Sequence, residues 1–237
     1  VRKTARLAYS PDPDVAAVAE LFGDPVRAAM LHALLDGREL SASELAFRAG
    51  ASPQAASAHL AKLVAGGLIS GRSAGRQRLF TLRSPDVGHA MEALAAIAAP
   101  VRVRALGQST AMVRLREARS CYDHLAGRVG VAVSDYLING KLLEPANSEF
   151  VVTRRGKRFF EAFEIDLEAV AAERRSFARQ CLDWTERRPH VAGALGAALL
   201  DRFIAGRWLE RNPRDRALAL TARGRLEFSK HFNVRTS

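Results

Sequence analysis

Two short clusters hold the residue types that do chemistry. Cys121 and His124 stand in Cys-x-x-His spacing, and Cys181, Asp183 and His190 follow further along the chain. Thiolates and imidazoles are ligands for borderline-soft metal ions, thiol pairs are redox couples, and both residue types can bind haem iron. The plainer reading is that Cys is among the most buried residue types, so a cysteine repeated along a chain is a core position repeated. Both readings stand at this level. The five residues are candidates for a sensing site, and no metal or cofactor is assigned from the sequence.

A second chemistry is spread more widely. Between Glu44 and Asp86 there is no Asp or Glu, while Arg48, Lys62, Arg72, Arg76, Arg78 and Arg83 all lie inside. An acid-free basic stretch suits contact with phosphate, because each carboxylate there would be repelled by the nucleic-acid backbone. The net charge of +11 over 237 residues points to the same polyanionic partner. Two cysteines are too few for a disulfide framework in a chain this long, and a reducing cytoplasm is the expected setting. No apolar run approaches a membrane span, and Val1–Leu7 is not followed by the apolar core of a signal peptide.

The elements that must position these residues are marked by caps. Asp24-Pro25 starts a helix with the stripe Val26, Met30, Leu31, Leu34 and Leu35, ended by Asp36-Gly37. Ser41 and Glu44 form a capping box before a short helix ending at Gly50, and Ser52-Pro53 opens a third helix running to Gly66-Gly67. At 100° per residue that third helix turns Ala56, Leu60, Leu63 and Val64 inward. It presents Gln54, Ala58 and Ala61 outward, with Ser57 and His59 on the flanks and Lys62 further along. Small and short polar groups on an outward face fit a helix lying in a major groove. Leu68–Ser70 and Gln77–Leu82 read as strands around a turn over Gly71–Arg76, so that Arg76 and Arg78 sit on a hairpin able to reach phosphates.

A helix over Asp86–Ala99, broken at Pro100, leads into an internal repeat. Ala118-Arg119-Ser120-Cys121-Tyr122-Asp123 recurs as Ala178-Arg179-Gln180-Cys181-Leu182-Asp183, and Thr153-Arg154-Arg155-Gly156-Lys157 as Thr221-Ala222-Arg223-Gly224-Arg225. Asp135–Glu144 likewise recurs as Asp201–Glu210. Three matched blocks in one order indicate a duplication of about sixty residues, each copy running helix, turn, strand, loop, strand, Thr-capped helix. Arg119 with Asp123, and Arg179 with Asp183, invite a salt bridge inside each copy. The apolar stretch Ala192–Leu200 suits packing against a partner module. The expected fold is mainly α with small β wings: an arm over 1–14, a winged helix-turn-helix head with its dimerisation helix over 15–99, and a domain over 100–237 with repeats at about 118–163 and 178–232.

Phe22-Gly23-Asp24-Pro25-Val26-Arg27, Glu39–Ala46, Ser52–Leu63 and Gly75-Arg76-Gln77-Arg78-Leu79-Phe80 resemble the ArsR/SmtB-type bacterial regulators. The resemblance covers about 70 residues, and Ser57-Ala58-His59-Leu60-Ala61-Lys62-Leu63 is its most specific part. It implies a homodimeric winged-helix repressor on an inverted-repeat operator of double-stranded DNA, released by a small effector. It places Ser52, Gln54, Ser57 and His59 on the DNA-contacting helix and Arg76 and Arg78 in the wing, and Lys62, further along the same helix, joins them as a candidate DNA contact. For His59 a structural role beside the core competes with DNA contact.

The familiar metal sites of that family are missing. Ser41 and Ser43 occupy the place of a Cys-x-Cys pair, and Asp86 with His89 lacks the remaining ligands. Any effector is therefore expected to act through residues 101–237. Two other classes remain open: an architectural or protein-interaction module, and an enzyme fused to a DNA-binding head. The latter finds no phosphate loop, HExxH, nucleophile elbow or carboxylate cluster in residues 100–237.

Overall fold

The structure, a computed structural model, describes residues 13–99 and 106–235. The expected arm therefore lies outside the described residues except for Pro13 and Asp14, as does the helix breaker Pro100. The described chain divides into two compact units, one holding residues up to His32 and Glu39–Arg83, the other Ala33–Arg38 and residues from Ser84 onward.

The first unit runs α1 (Val15–Gly23), α2 (Pro25–Ala33), β1 (Leu40–Ser41), α3 (Ala42–Ala49), α4 (Pro53–Ala65), β2 (Ile69–Ala74) and β3 (Gln77–Leu82). Its caps follow the sequence signals. The Asp24 carboxylate accepts from the Arg27 amide at 2.9 Å. Ser41 and Glu44 close a reciprocal capping box, and Ser52 Oγ accepts from the Ala55 amide at 3.3 Å. Helix α1, although it carries Val15, Val18, Leu21 and Phe22 at helical spacing, has no buried residue. Strands β1, β3 and β2 form an antiparallel sheet in that order. Strand β2 extends to Ala74, beyond the Leu68–Ser70 expected, because Gly71–Ala74 pair along β3 and leave Gly75 and Arg76 as the turn. Met30, Leu31, Leu45, Ala56, Leu60, Leu63, Ile69, Phe80 and Leu82 are buried.

The second unit opens with α5 (Pro85–Ile97) and α6 (Leu106–Glu117). The first repeat follows as β4 (Arg119–Cys121), β5 (His124–Ala126), α7 (Gly127–Asn139), β6 (Leu143–Ala146), β7 (Glu149–Val152) and α8 (Arg154–Ala162). After the short α9 (Leu167–Ala171), the second runs β8 (Arg179–Leu182), β9 (Pro189–Ala192), α10 (Gly193–Ala205), β10 (Leu209–Arg211), β11 (Leu218–Leu220) and α11 (Ala222–Phe232). Helix, hairpin and capped helix are as the repeat predicts, but each copy also starts with a hairpin of its own. The final helices are capped identically: Thr153 Oγ1 accepts from Gly156 N at 3.0 Å, and Thr221 Oγ1 from Gly224 N at 2.8 Å. Gly127 and Gly193, at φ +81° and +78°, occupy equivalent corners where a Cβ would lie 2.8 and 2.6 Å from a backbone carbonyl oxygen.

The copies are joined by exchange. Hairpin β8–β9 of the second copy extends hairpin β6–β7 of the first into a four-stranded sheet. Gln180 N donates to Ser148 O at 2.9 Å and Phe150 N to Ala178 O at 2.7 Å. The same pattern recurs with the roles reversed: Ser120 N donates to Arg216 O and Leu218 N to Ala118 O, both at 2.9 Å, and Arg119 bridges Ala217. Helix α7 packs on β9 and α10 on β5, so each copy's helix covers the other's hairpin. The partner module expected for Ala192–Leu200 is thus the other repeat. One continuous core results, including Leu137, Phe160, Leu195, Phe203, Trp208 and Phe228.

Candidate functional site

On the first unit, α4 and the β2–β3 hairpin build one basic surface. Ala56, Leu60 and Leu63 are buried, while Ser52, Gln54, Ser57, Ala58, Ala61 and Lys62 are exposed. Val64, expected inward, is half-buried. His59 is also half-buried, and its Nδ1 lies 3.5 Å from the Asp24 carboxylate at the cap of α2. The hydroxyl of Ser52 is engaged by its own helix cap. Arg76 and Arg78 are exposed at the turn and the start of β3, with the Arg78 guanidinium 5.3 Å from the Phe80 ring centroid, within cation–π range. Arg72 is paired with Glu39, whose hydrogen bond from Arg72 holds its carboxyl below the ordinary range. One positive charge of the acid-free stretch is therefore neutralised from outside it.

On the second unit, the exchange brings both cysteines and two histidines to one point. Cys121 faces His124 across the β4–β5 hairpin, and Cys181 faces His190 across β8–β9. The two hairpins then meet. The sulfurs are 3.8 Å apart, the His124 and His190 Nε2 atoms 3.1 Å apart, and all four donor atoms lie within 4.8 Å of one another. All four residues are buried. The hydrogen bond with Cys181 and burial together push the Cys121 thiol up. Burial works against charge on His124, while the neighbouring Asp123 carboxylate favours it and helps raise the imidazole above its ordinary range. The pairing was hidden in the sequence by unequal loops, since Cys121 and His124 close a tight turn while Cys181 and His190 flank Leu182–Pro189.

Asp183, expected beside Cys181 and His190, serves another purpose. Its Oδ2 accepts from Arg119 Nη2 at 2.9 Å and from Gly127 N at 2.7 Å. Its Oδ1 accepts from the Thr185 hydroxyl and amide at 2.6 and 2.8 Å and from Glu186 N at 3.0 Å. Burial alone would raise this carboxyl, but the Arg119 charge and these donors hold it far below the usual carboxylate range. The salt bridges expected within each copy are therefore not formed. Arg119 pairs with Asp183 of the other copy, Asp123 pairs with Arg175, and Arg179 donates to His89 Nδ1 at 2.7 Å. Burial first, then the Arg179 charge, lowers His89 to about 4, so it accepts that bond as a neutral ring. A cleft of about 310 Å³ lined by His89, Ala93, Ile97, Arg179 and Cys181 lies alongside.

A short capped helix followed by an exposed, acid-free helix and a basic two-stranded wing define a winged helix-turn-helix. Residues 22–72 match the family model for a helix-turn-helix domain. Over 224 residues the chain is 42% identical to the HTH-type transcriptional regulator YdfF of Bacillus subtilis (strain 168), covering 94% of this chain and 99% of that one. The chain belongs to the HTH-type transcriptional regulators, a family of DNA-binding proteins. Among solved structures it is similar to reduced HlyU from Vibrio cholerae N16961, at 32% identity over 36% of this chain and 88% of that one, with a TM-score of 0.33. NolR from Sinorhizobium fredii is similar at 29% identity, covering 36% of this chain and 85% of that one, again with a TM-score of 0.33. No helix among the described residues is long and apolar enough to cross a membrane.

The Asp183 carboxylate ties the copies together, so its removal leaves the Arg119 charge buried without its counter-ion. Asp183→Ala should lower the unfolding free energy of the second unit by about 3–5 kcal/mol. Trp184 and Trp208, the chain's two tryptophans, both lie in that unit, so urea unfolding followed by their fluorescence reads it selectively. A loss below about 1 kcal/mol, the scale of an exposed pair, would show that the bridge is incidental.

Proposed function

We propose that the chain is a homodimeric repressor of the ArsR/SmtB type. It reads an inverted-repeat operator with Ser52, Gln54, Ser57, His59 and Lys62, braces on phosphates through Arg76 and Arg78, and is released by an effector acting through residues 101–237. The observation that carries this reading is the outward face of α4: Gln54, Ser57, Ala58, Ala61 and Lys62 are exposed, none is acidic, and the small Ser57, Ala58 and Ala61 permit close approach while Gln54 can bond base edges. His59 is held toward Asp24, so a phosphate or base contact by its other ring nitrogen fits better than deep insertion. The cleft beside α5 and β8 offers room for a small effector, which must favour one conformation over another to shift DNA binding.

Replacing Arg76 and Arg78 by Ala should weaken binding to every duplex about equally and reduce the slope of log affinity against log salt by about 2, one per lost phosphate contact. Fluorescence anisotropy across a salt series measures this. An unchanged slope would remove the wing from the interface. The same titration with random duplex as competitor separates operator reading from an architectural role, since only specific binding survives it.

A single α4 reads too few bases for adequate specificity, which argues for a dimer. Of the four apolar α5 residues that could form its seam, Val87 and Met91 are buried within the chain, whereas Leu94 and Ile97 are 43% and 82% exposed. Leu94→Asp should therefore turn a sedimenting dimer into a monomer while leaving the far-UV circular dichroism unchanged. A wild-type monomer at micromolar concentration that still binds an operator tightly would contradict the dimer.

A further inference from the structure

From the geometry of the exchanged hairpins we propose that Cys121, His124, Cys181 and His190 form a closed tetrahedral site for a zinc-class divalent ion, which locks the two repeats to each other. The proposal does not depend on what the first unit binds.

Each hairpin contributes one sulfur and one imidazole as directly opposed cross-strand partners, and the exchange of hairpins sets the two pairs face to face. Zinc bound at ~2.3 Å from sulfur and ~2.0–2.1 Å from nitrogen with tetrahedral angles requires sulfurs ~3.8 Å apart and nitrogens ~3.3 Å apart. The observed separations are 3.8 and 3.1 Å. The widest donor pair, at 4.8 Å, closes by about 1 Å to complete the shell. Two soft sulfurs with two imidazoles select zinc, cobalt or cadmium over magnesium or calcium, which prefer oxygen. Two thiolates also cancel the charge of a divalent ion, so the loaded site is neutral in a buried setting.

The surroundings repeat this logic. His124 and His190 turn their Nε2 atoms toward the common point, and each has an aspartate behind its other nitrogen. Asp123 Oδ1 lies 3.3 Å from His124 Nδ1, and Asp183 Oδ2 lies 4.0 Å from His190 Nδ1. A carboxylate within hydrogen-bond reach orients a metal-ligating imidazole, as Asp123, itself anchored by Arg175, does for His124, whereas Asp183, anchored by Arg119, stands beyond that reach of His190. His190 Nδ1 is buried without a hydrogen-bond partner. A contraction that draws His190 inward would reorganise that contact. With four protein ligands the shell leaves no open position, which is the character of a structural zinc site and not of a catalytic one. On binding, each thiol yields its proton to solvent and each imidazole ligates as the neutral ring, so the metal uptake releases protons and no oxidant is involved.

The test uses the full-length chain, reduced, stripped of metal with a chelator and titrated with Co(II) under exclusion of air. One Co(II) per chain should bind, with the intense visible bands of a tetrahedral site and a thiolate-to-cobalt charge-transfer band, and equimolar Zn(II) should displace it. Cys121→Ser combined with Cys181→Ser should abolish the charge-transfer band. Asp123→Asn, which leaves all four ligands in place, should weaken binding roughly 10–100-fold. Absence of stoichiometric cobalt uptake by the wild-type chain overturns the proposal without reference to any variant. So does a charge-transfer band that persists in a folded double-serine chain, or a Cys121–Cys181 disulfide in the freshly isolated protein with no metal uptake after its reduction.

Discussion

The second unit depends on one constraint: the opening hairpin of each repeat pairs with the closing hairpin of the other. Two winged-helix-like modules could have lain side by side as separate bodies. Here the backbone bonds of Gln180 and Phe150 on one side, and of Ser120 and Leu218 on the other, make each copy complete only in the presence of its twin. The buried carboxylate of Asp183 sits at the crossing. It gathers Arg119 and the Gly127 amide from the first copy and Thr185 and Glu186 from the second. Duplication within one chain thus supplies what a homodimer supplies between two, an interface related by an approximate twofold.

The Cys/His cluster follows from that constraint and from nothing else in the fold. A cysteine opposite a histidine across a two-stranded hairpin is only half a ligand set. Placed on an approximate twofold, the same half set meets itself and becomes four donors. The histidine strands are covered by α7 and α10 of the opposite copies, and the cysteine strands β4 and β8 by α6 and α5, so all four residues are buried. A core role for the cysteines and a ligand role are therefore not opposed: the same packing that buries the sulfurs also aims them at one another.

What the sequence makes legible divides along local and non-local lines. The caps at Asp24, Ser41 and Ser52, the inward face of α4 and the Thr-capped ends of both repeats are read correctly, because each depends on residues within three or four positions. The wing is longer than Gly71–Arg76 suggests, since a hairpin exposed along Gly71, Arg72 and Ser73 lacks the apolar alternation that marks a strand; cross-strand pairing decides it instead. Asp183 shows the limit most clearly. Its match with Asp123 predicts a partner within its own copy, yet the exchange delivers Arg119 from the other. Sequence order shows that two copies exist, but not which hairpin pairs with which.

The first unit is governed by a different economy, the exclusion of acidic groups from one face. Glu39 reaches into that face only to pair with Arg72, leaving Lys62, Arg76 and Arg78 to set the field around α4. In the proposed function this face reads sequence and does not merely attract phosphate. The most direct measurement is selection of bound fragments from a pool of genomic DNA, with the recovered fragments sequenced against the input. Recovery of one enriched inverted-repeat motif, lost when Gln54 and Ser57 are both replaced by Ala, is the result predicted. Fragments retained without any shared motif, or a motif unaffected by those replacements, would contradict it.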